Sequence, residues 1–153
     1  MAAEFCYPMR VEFAETDMAG IVHFAQFFRY MEVTEHAFLR SLGLSVHGEC
    51  EGRTISWPRG HVECFYRFPL RFQDEFEVRL SVRAKRRVTI AYDFRFLKDG
   101  TEVVAEGNAT AICVQLDPVA GTMSAVKIPD AFDRLIEVAS SETDDVGPRN
   151  DAG

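Results

Sequence analysis

Residues 11–44 read VEFAETDMAGIVHFAQFFRYMEVTEHAFLRSLGL, and the period of their apolar side chains changes part-way along. Over residues 9–13, Met9, Val11 and Phe13 alternate with Arg10 and Glu12, the period of a half-buried strand. The alternation ends at Glu15-Thr16-Asp17. Beyond Ala19-Gly20 the apolar positions Phe24, Phe28, Met31, Phe38 and Leu42 recur at three, four or seven, which sets them on one helical face. Gly43 supplies a C-terminal stop. One strand, a turn carrying an aspartate, and one long helix are expected here.

Downstream, residues 44–53 are polar, contain glycine and have no period, which reads as a connection that covers part of a site. From residue 61 the apolar positions alternate: Val62, Cys64, Tyr66 and Phe68, then Phe76, Val78, Leu80 and Val82, then Val88, Ile90, Tyr92, Phe94 and Phe96. These are expected to be antiparallel strands. Asp99-Gly100 is a hairpin signal, and Ala109 to Val114 extend the strand after it. The expectation is a meander with consecutive strands as neighbours. Pro129 opens a short helix with Phe132, Leu135 and Ile136. The fold class expected is α+β, a long antiparallel sheet covered by one helix. It occupies residues 1–139 as a single domain, with the acidic tail 140–153 expected to be disordered.

Hydrophobic residues make up 47% of the chain, enough for one core. A net charge of -7 disfavours nucleic acid and anionic membrane surfaces as partners. No run approaches the roughly 20 apolar residues of a membrane helix, and MAAEFCYPMR lacks the basic and apolar regions of a signal peptide. A cytoplasmic location is expected. Cys6, Cys50, Cys64 and Cys113 have no metal-ligand spacing and read as reduced thiols.

Residues 11–44 resemble the opening of the 4-hydroxybenzoyl-CoA thioesterase family of hotdog proteins. The resemblance rests on Thr16-Asp17, the turn Ala19-Gly20-Ile21-Val22, the aromatic at Phe24, and Phe38-Leu39-Arg40 through Gly43. Weaker agreement continues through FPLRFQDEFEVRL (68–80) and Ile128-Pro129. It implies a hotdog fold, assembly as a homodimer or homotetramer, and an acyl-CoA thioesterase that releases free acid and CoA without a metal or redox cofactor. It further implies that Asp17 is the catalytic carboxylate and that the Phe24 backbone N–H polarises the thioester carbonyl. Many relatives place histidine where this chain has Phe24. Here His23 comes one residue earlier, and a substrate contact is expected of it. Glu32 matches an acidic position that meets the ring hydroxyl of aromatic acyl groups. Lys85, Arg86 and Arg87 match basic residues near the nucleotide of CoA.

The residues themselves admit plainer roles. Thioester hydrolysis needs a nucleophile or base, and donors for the oxygen that becomes negative. A carboxylate just before a helix is favoured by the peptide dipoles, and both direct attack through a mixed anhydride and activation of water stay open to Asp17. An aspartate at this spacing also serves as a cap or turn residue. Glu32, with Glu35 and His36 nearby, fits a solvated helix face, and the basic triplet fits an exposed turn as well as phosphate binding. His61 and Glu63 face away from Val62 and Cys64, and Trp57-Pro58 reads as packing. Two other functions share this fold: an acyl-thioester dehydratase or hydratase, and a non-catalytic acyl-CoA-binding module. His23 to Phe27 also resembles dihydroxynaphthoyl-CoA hydrolases, which leaves aromatic and short or branched aliphatic acyl groups open.

Overall fold

The computed structural model describes residues 4–140; most of the tail, 141–153, lies outside them. Among the described residues the chain forms β1 (Phe5–Arg10), α1 (Gln26–Ser41), β2 (His47–Cys50), β3 (Arg53–Ser56), β4 (Arg59–Tyr66), β5 (Glu75–Lys85), β6 (Thr89–Lys98), β7 (Glu102–Ile112), β8 (Val114–Asp117), β9 (Thr122–Ala125) and α2 (Asp130–Leu135). A 3-10 turn spans Phe13–Glu15. The strands make two antiparallel sheets, ordered β1-β5-β6-β7-β4 and β2-β3-β8-β9.

The large sheet is apolar on one face because the period of two holds along each central strand. Phe76, Val78, Leu80 and Val82 of β5 and Ile90, Tyr92, Phe94 and Phe96 of β6 are buried there. α1 covers this face with Phe27, Tyr30, Met31, Thr34 and Leu39. The ring of Phe27 meets Phe96 at 5.2 Å and that of Tyr30 meets Phe76 at 4.9 Å. The Met31 side chain of α1 lies over Gly107 of β7, where an added Cβ would run into Met31 Cε and stand 2.9 Å from the Glu63 carbonyl. A side chain there would have to displace the end of the Met31 side chain.

The hairpin at Asp99-Gly100 is present, with φ of 55° and 74°, the left-handed pair that a tight hairpin turn requires. Several expectations need correction. The first strand lies at Phe5–Arg10, not 9–13, pairing from Phe5 opposite Leu80 to Arg10 opposite Glu75. The chain leaves the sheet at Val11, whose N–H donates to the Asp74 carbonyl (3.0 Å), so Phe13 is 75% exposed. Residues 44–53 are not a bare connection, since β2 and β3 form a hairpin about Glu51-Gly52, both at positive φ. The meander holds only for β5-β6-β7. β4 lies at the far edge beside β7, so Val62, Tyr66 and Phe68, read as one apolar face, stay exposed in a single copy. The chain then crosses the end of the sheet over residues 67–74 to begin β5. α2 starts after Pro129 as expected, with Phe132 and Ile136 buried and Leu135 exposed.

One ion pair lies beneath the helix. Glu35 is 1% exposed and accepts a hydrogen bond from Arg59 Nη1 at 3.0 Å. Burial pushes its carboxyl above the ordinary 4.5, and the Arg59 guanidinium opposes that shift. Between 4.5 and the raised folded value, the native state holds a proton that the unfolded state has released, so stability falls as pH rises through that window. Arg59→Met leaves the buried carboxylate alone. It should cost about 3 kcal/mol at neutral pH and less in acid. Urea unfolding at two pH values tests this, and Glu35→Leu combined with Arg59→Met should recover most of the loss.

Candidate active site

The turn after the 3-10 segment is built by backbone pairing. The Asp17 N–H donates to the Ile21 carbonyl (2.9 Å) and the His23 N–H to the Glu15 carbonyl (2.9 Å), which closes a bridge between Thr16 and Val22. Gly20, at φ 76°, lets the chain reverse and donates its N–H to the Asp17 carbonyl (3.0 Å). Asp17 therefore sits in a hairpin-like turn, nine residues ahead of the first residue of α1, and not at the helix entrance. Its Oδ1 accepts the Ala19 N–H at 2.8 Å, the short-range bond that a turn aspartate makes. That bond orients the carboxylate and leaves Oδ2 as the oxygen available to a reactant.

The residues leading into α1 supply donors. The Ala25 N–H is taken by His23 Nδ1 (3.2 Å) and the Gln26 N–H by the His23 carbonyl (2.9 Å). Among the described residues no acceptor pairs with the Phe24 N–H. The exposed Phe24 ring stacks on His23 with centroids 4.5 Å apart. From the edge strand, Tyr66 Oη donates to the Phe24 carbonyl at 2.7 Å, and its ring stands edge-on to Phe27. Burial, then the neighbouring Cys64, pushes the Tyr66 phenol up to about 12, so it keeps its proton near neutrality.

Asp17 and Phe24 line one cleft of about 580 Å³, together with Ile21, Phe27, Tyr66 and Arg71. Its floor is the crossing segment. Leu70, 1% exposed, accepts the Val22 N–H at 2.7 Å, and the N–H groups of Arg67 and Phe68 both donate to the Val104 carbonyl. Asp17 also borders a second depression of about 560 Å³ on its other side, lined by Phe13, Met18 and Phe72. Phe13 and Phe72 meet edge to face at 5.8 Å.

The remaining expected residues lie apart. Glu32 is exposed on α1 and lines neither cleft. The basic triplet is split by the fold. Lys85 Nζ is held by Asp133 Oδ1 (2.9 Å) and by the carbonyls of Asp133 (2.8 Å) and Ile136 (2.9 Å) at the end of α2. Arg86 and Arg87 are exposed, and Arg86 shares a depression of about 460 Å³ with Arg83, Thr89 and Thr110. Sequence reading did not single out Tyr66, Arg71 or Arg83. The alternation that puts Arg83 and Thr110 on the polar face is visible in the sequence, whereas the crossing that brings Tyr66 to Phe24 is not.

Comparison with known proteins bears on this arrangement. The profile of the thioesterase-like superfamily matches residues 11–136. The chain belongs to that superfamily. Its sequence is 26% identical over 121 residues to a 1,4-dihydroxy-2-naphthoyl-CoA hydrolase of Prochlorococcus marinus, covering 74% of this chain and 76% of the relative. It is 23% identical over 125 residues to the acyl-CoA thioesterase YbgC of Haemophilus influenzae, covering 82% and 88%. The solved BH1999 gentisyl-coenzyme A thioesterase superposes with a TM-score of 0.74 at 26% identity, over 86% of this chain and 99% of that one. The fold is the hotdog of this superfamily, an antiparallel sheet around one main helix, and the relatives are thioester hydrolases.

The three bonds to Lys85 give it a structural task. Lys85→Met should lower stability by about 1–3 kcal/mol, read as a drop in the thermal midpoint.

Proposed function

We propose that this protein is an acyl-CoA thioesterase of the 4-hydroxybenzoyl-CoA thioesterase type, with Asp17 as the reacting carboxylate and the Phe24 N–H as donor to the thioester oxygen. The observation that carries this reading is one cleft lined by both Asp17, with one oxygen held by Ala19, and Phe24, whose N–H has no acceptor among the described residues. Superfamily membership and the names of the relatives support the reaction class.

A thioester carbonyl carries two arms, and Asp17 borders two depressions. The reaction then runs as follows. An Asp17 oxygen adds to the carbonyl carbon while the Phe24 N–H takes the charge that develops on oxygen. The C–S bond breaks and the thiolate leaves, to be protonated by solvent. Water hydrolyses the resulting anhydride to free acid and restores the carboxylate. Activation of water by Asp17 gives the same products. The apolar and aromatic walls suit an acyl group with a large flat or branched surface. Arg83, Arg86 and Arg87 offer charge for the phosphates of CoA, with Lys85 committed to α2. His23 lies against the Phe24 ring and lines neither cleft. Glu32 has no part in a single copy. Edge strand β4, with Val62, Phe65 and Tyr66 exposed, is the surface expected to pair in a homodimer or homotetramer.

Thiol release from a panel of aromatic and aliphatic acyl-CoAs tests the assignment. Asp17→Asn, folded as judged by circular dichroism, should lose about 1,000-fold or more of kcat. Equal rates would remove Asp17 from the chemistry, and no turnover by the unaltered protein would favour a binding module or a dehydratase. Arg86→Ala with Arg87→Ala should raise KM for acyl-CoA about 10-fold while leaving kcat on a short pantetheine thioester unchanged.

A further inference from the structure

Glu15 lies two residues before Asp17, borders neither cleft, and has both carboxylate oxygens occupied. Oε1 accepts the Glu12 N–H (2.7 Å) and the Tyr30 hydroxyl (3.1 Å), and Oε2 accepts the Gln26 side-chain amide (3.0 Å). Its backbone carbonyl accepts the His23 N–H at 2.9 Å. Four bonds from one residue thus reach three places: the 3-10 turn that leads to Asp17, the first two turns of α1, and the peptide just before Phe24. Tyr30 is 3% exposed, and burial, then the charge on Glu15, holds its phenol well above the ordinary value, so it acts as a donor. A carboxylate accepts from all of these donors at once, which no hydroxyl side chain can do.

We propose that Glu15 is a positioning residue that sets the distance between the Asp17 carboxylate and the Phe24 N–H without touching substrate. This rests on the reading of Asp17 and Phe24 given above. The two groups stand on opposite arms of the bridged turn; the later arm is tied to α1 by the Gln26 N–H on the His23 carbonyl, whereas among the described residues the earlier arm, which carries Asp17, makes no backbone bond to the helix. Glu15 supplies that anchor. A catalytic pair displaced by about 1 Å loses on the order of 100-fold in rate. The loss belongs to kcat, because the apolar walls that bind the acyl group do not include Glu15.

The test uses Glu15→Ala, Glu15→Gln and Gln26→Ala in the full chain, with kcat, KM and the pH–rate profile measured on the best acyl-CoA of the panel. Backbone amide exchange at Asp17, Gly20 and His23 is read alongside. Glu15→Ala should lower kcat about 100-fold, keep KM within about twofold and speed exchange at these three amides. Glu15→Gln, which retains an oxygen for Glu12 and Tyr30 and can pair with a rotated Gln26 amide, should recover kcat to within about fivefold and keep the same pH profile. Unchanged kcat and exchange in Glu15→Ala overturn the proposal. So does a Glu15→Gln variant as slow as Glu15→Ala that has lost the acidic limb of the profile, since Glu15 would then be a base. Should Glu15→Ala fail to fold, Gln26→Ala decides: a lower kcat with unchanged KM supports the anchor, and an unaltered kcat removes it. If the unaltered protein cleaves no thioester, the proposed activity fails, while amide exchange still judges the anchor.

Discussion

A single helix has to cover the apolar face of a five-stranded sheet, and it can do so only by lying close. The aromatic contacts show how close: Phe27 meets Phe96 and Tyr30 meets Phe76, while the absence of a Cβ at Gly107 leaves room for the end of the Met31 side chain over β7. Two consequences follow. The burial of Phe27, Tyr30 and Met31 fixes the rotation of α1 about its axis, which turns Glu35 inward as well. The charge is then tolerable because Arg59, on the edge strand, reaches under the helix to meet it.

With α1 fixed, its N-terminal end becomes a reference point for the chain that enters and the chain that crosses. The entering turn is bound to the helix by Glu15 and to the crossing segment by the Val22 N–H. The crossing segment is bound in turn to β7 through Val104 and to the residue just past β1 through the Gln73 N–H, which donates to the Val11 carbonyl at 3.0 Å. The cleft at Asp17 is the space these three segments leave. Its apolar walls come from residues that also close the end of the core, so the same burial that stabilises the fold shapes the site.

The helix, the central meander and the Asp99-Gly100 hairpin were legible because each is announced by a local period or a local turn. The helix expected from Phe24 to Leu42 runs from Gln26 to Ser41, although its buried stripe is centred on Phe27, Tyr30 and Met31 and not on Phe24. The β2-β3 hairpin was missed because its strands are short, His47 and Glu49 are polar, and Glu51 is an unusual residue for a left-handed turn position. No local pattern reports that β4 lies beside β7, since that depends on where a loop of eight residues crosses. The fate of Lys85 was hidden for the same reason. Its partners Asp133 and Ile136 lie 48 and 51 residues away in the chain. At the site, the motif around Thr16-Asp17 and Phe24 pointed to two groups that the fold does place on one cleft, while the bonds that hold them there, from Glu15 and Tyr66, had no signature of their own.

The charge distribution adds a constraint on how a polyanionic substrate would be met. With a net charge of -7, the protein as a whole repels a nucleotide phosphate at a distance. At physiological ionic strength, however, that repulsion is screened beyond roughly 8 Å. What matters is the charge inside that range, and the β5-β6 junction carries exposed Arg86 and Arg87, with Arg86 sharing a depression with Arg83, which lies 3.7 Å from Asp93. The tie between Lys85 and α2 takes one cation out of the patch and uses it to anchor the end of the sheet. The patch keeps the arginines, whose planar guanidinium groups match phosphate oxygens in pairs better than an ammonium does. Anchoring and the proposed anion binding thus fall to neighbouring residues of one turn, which allows each to be altered without the other.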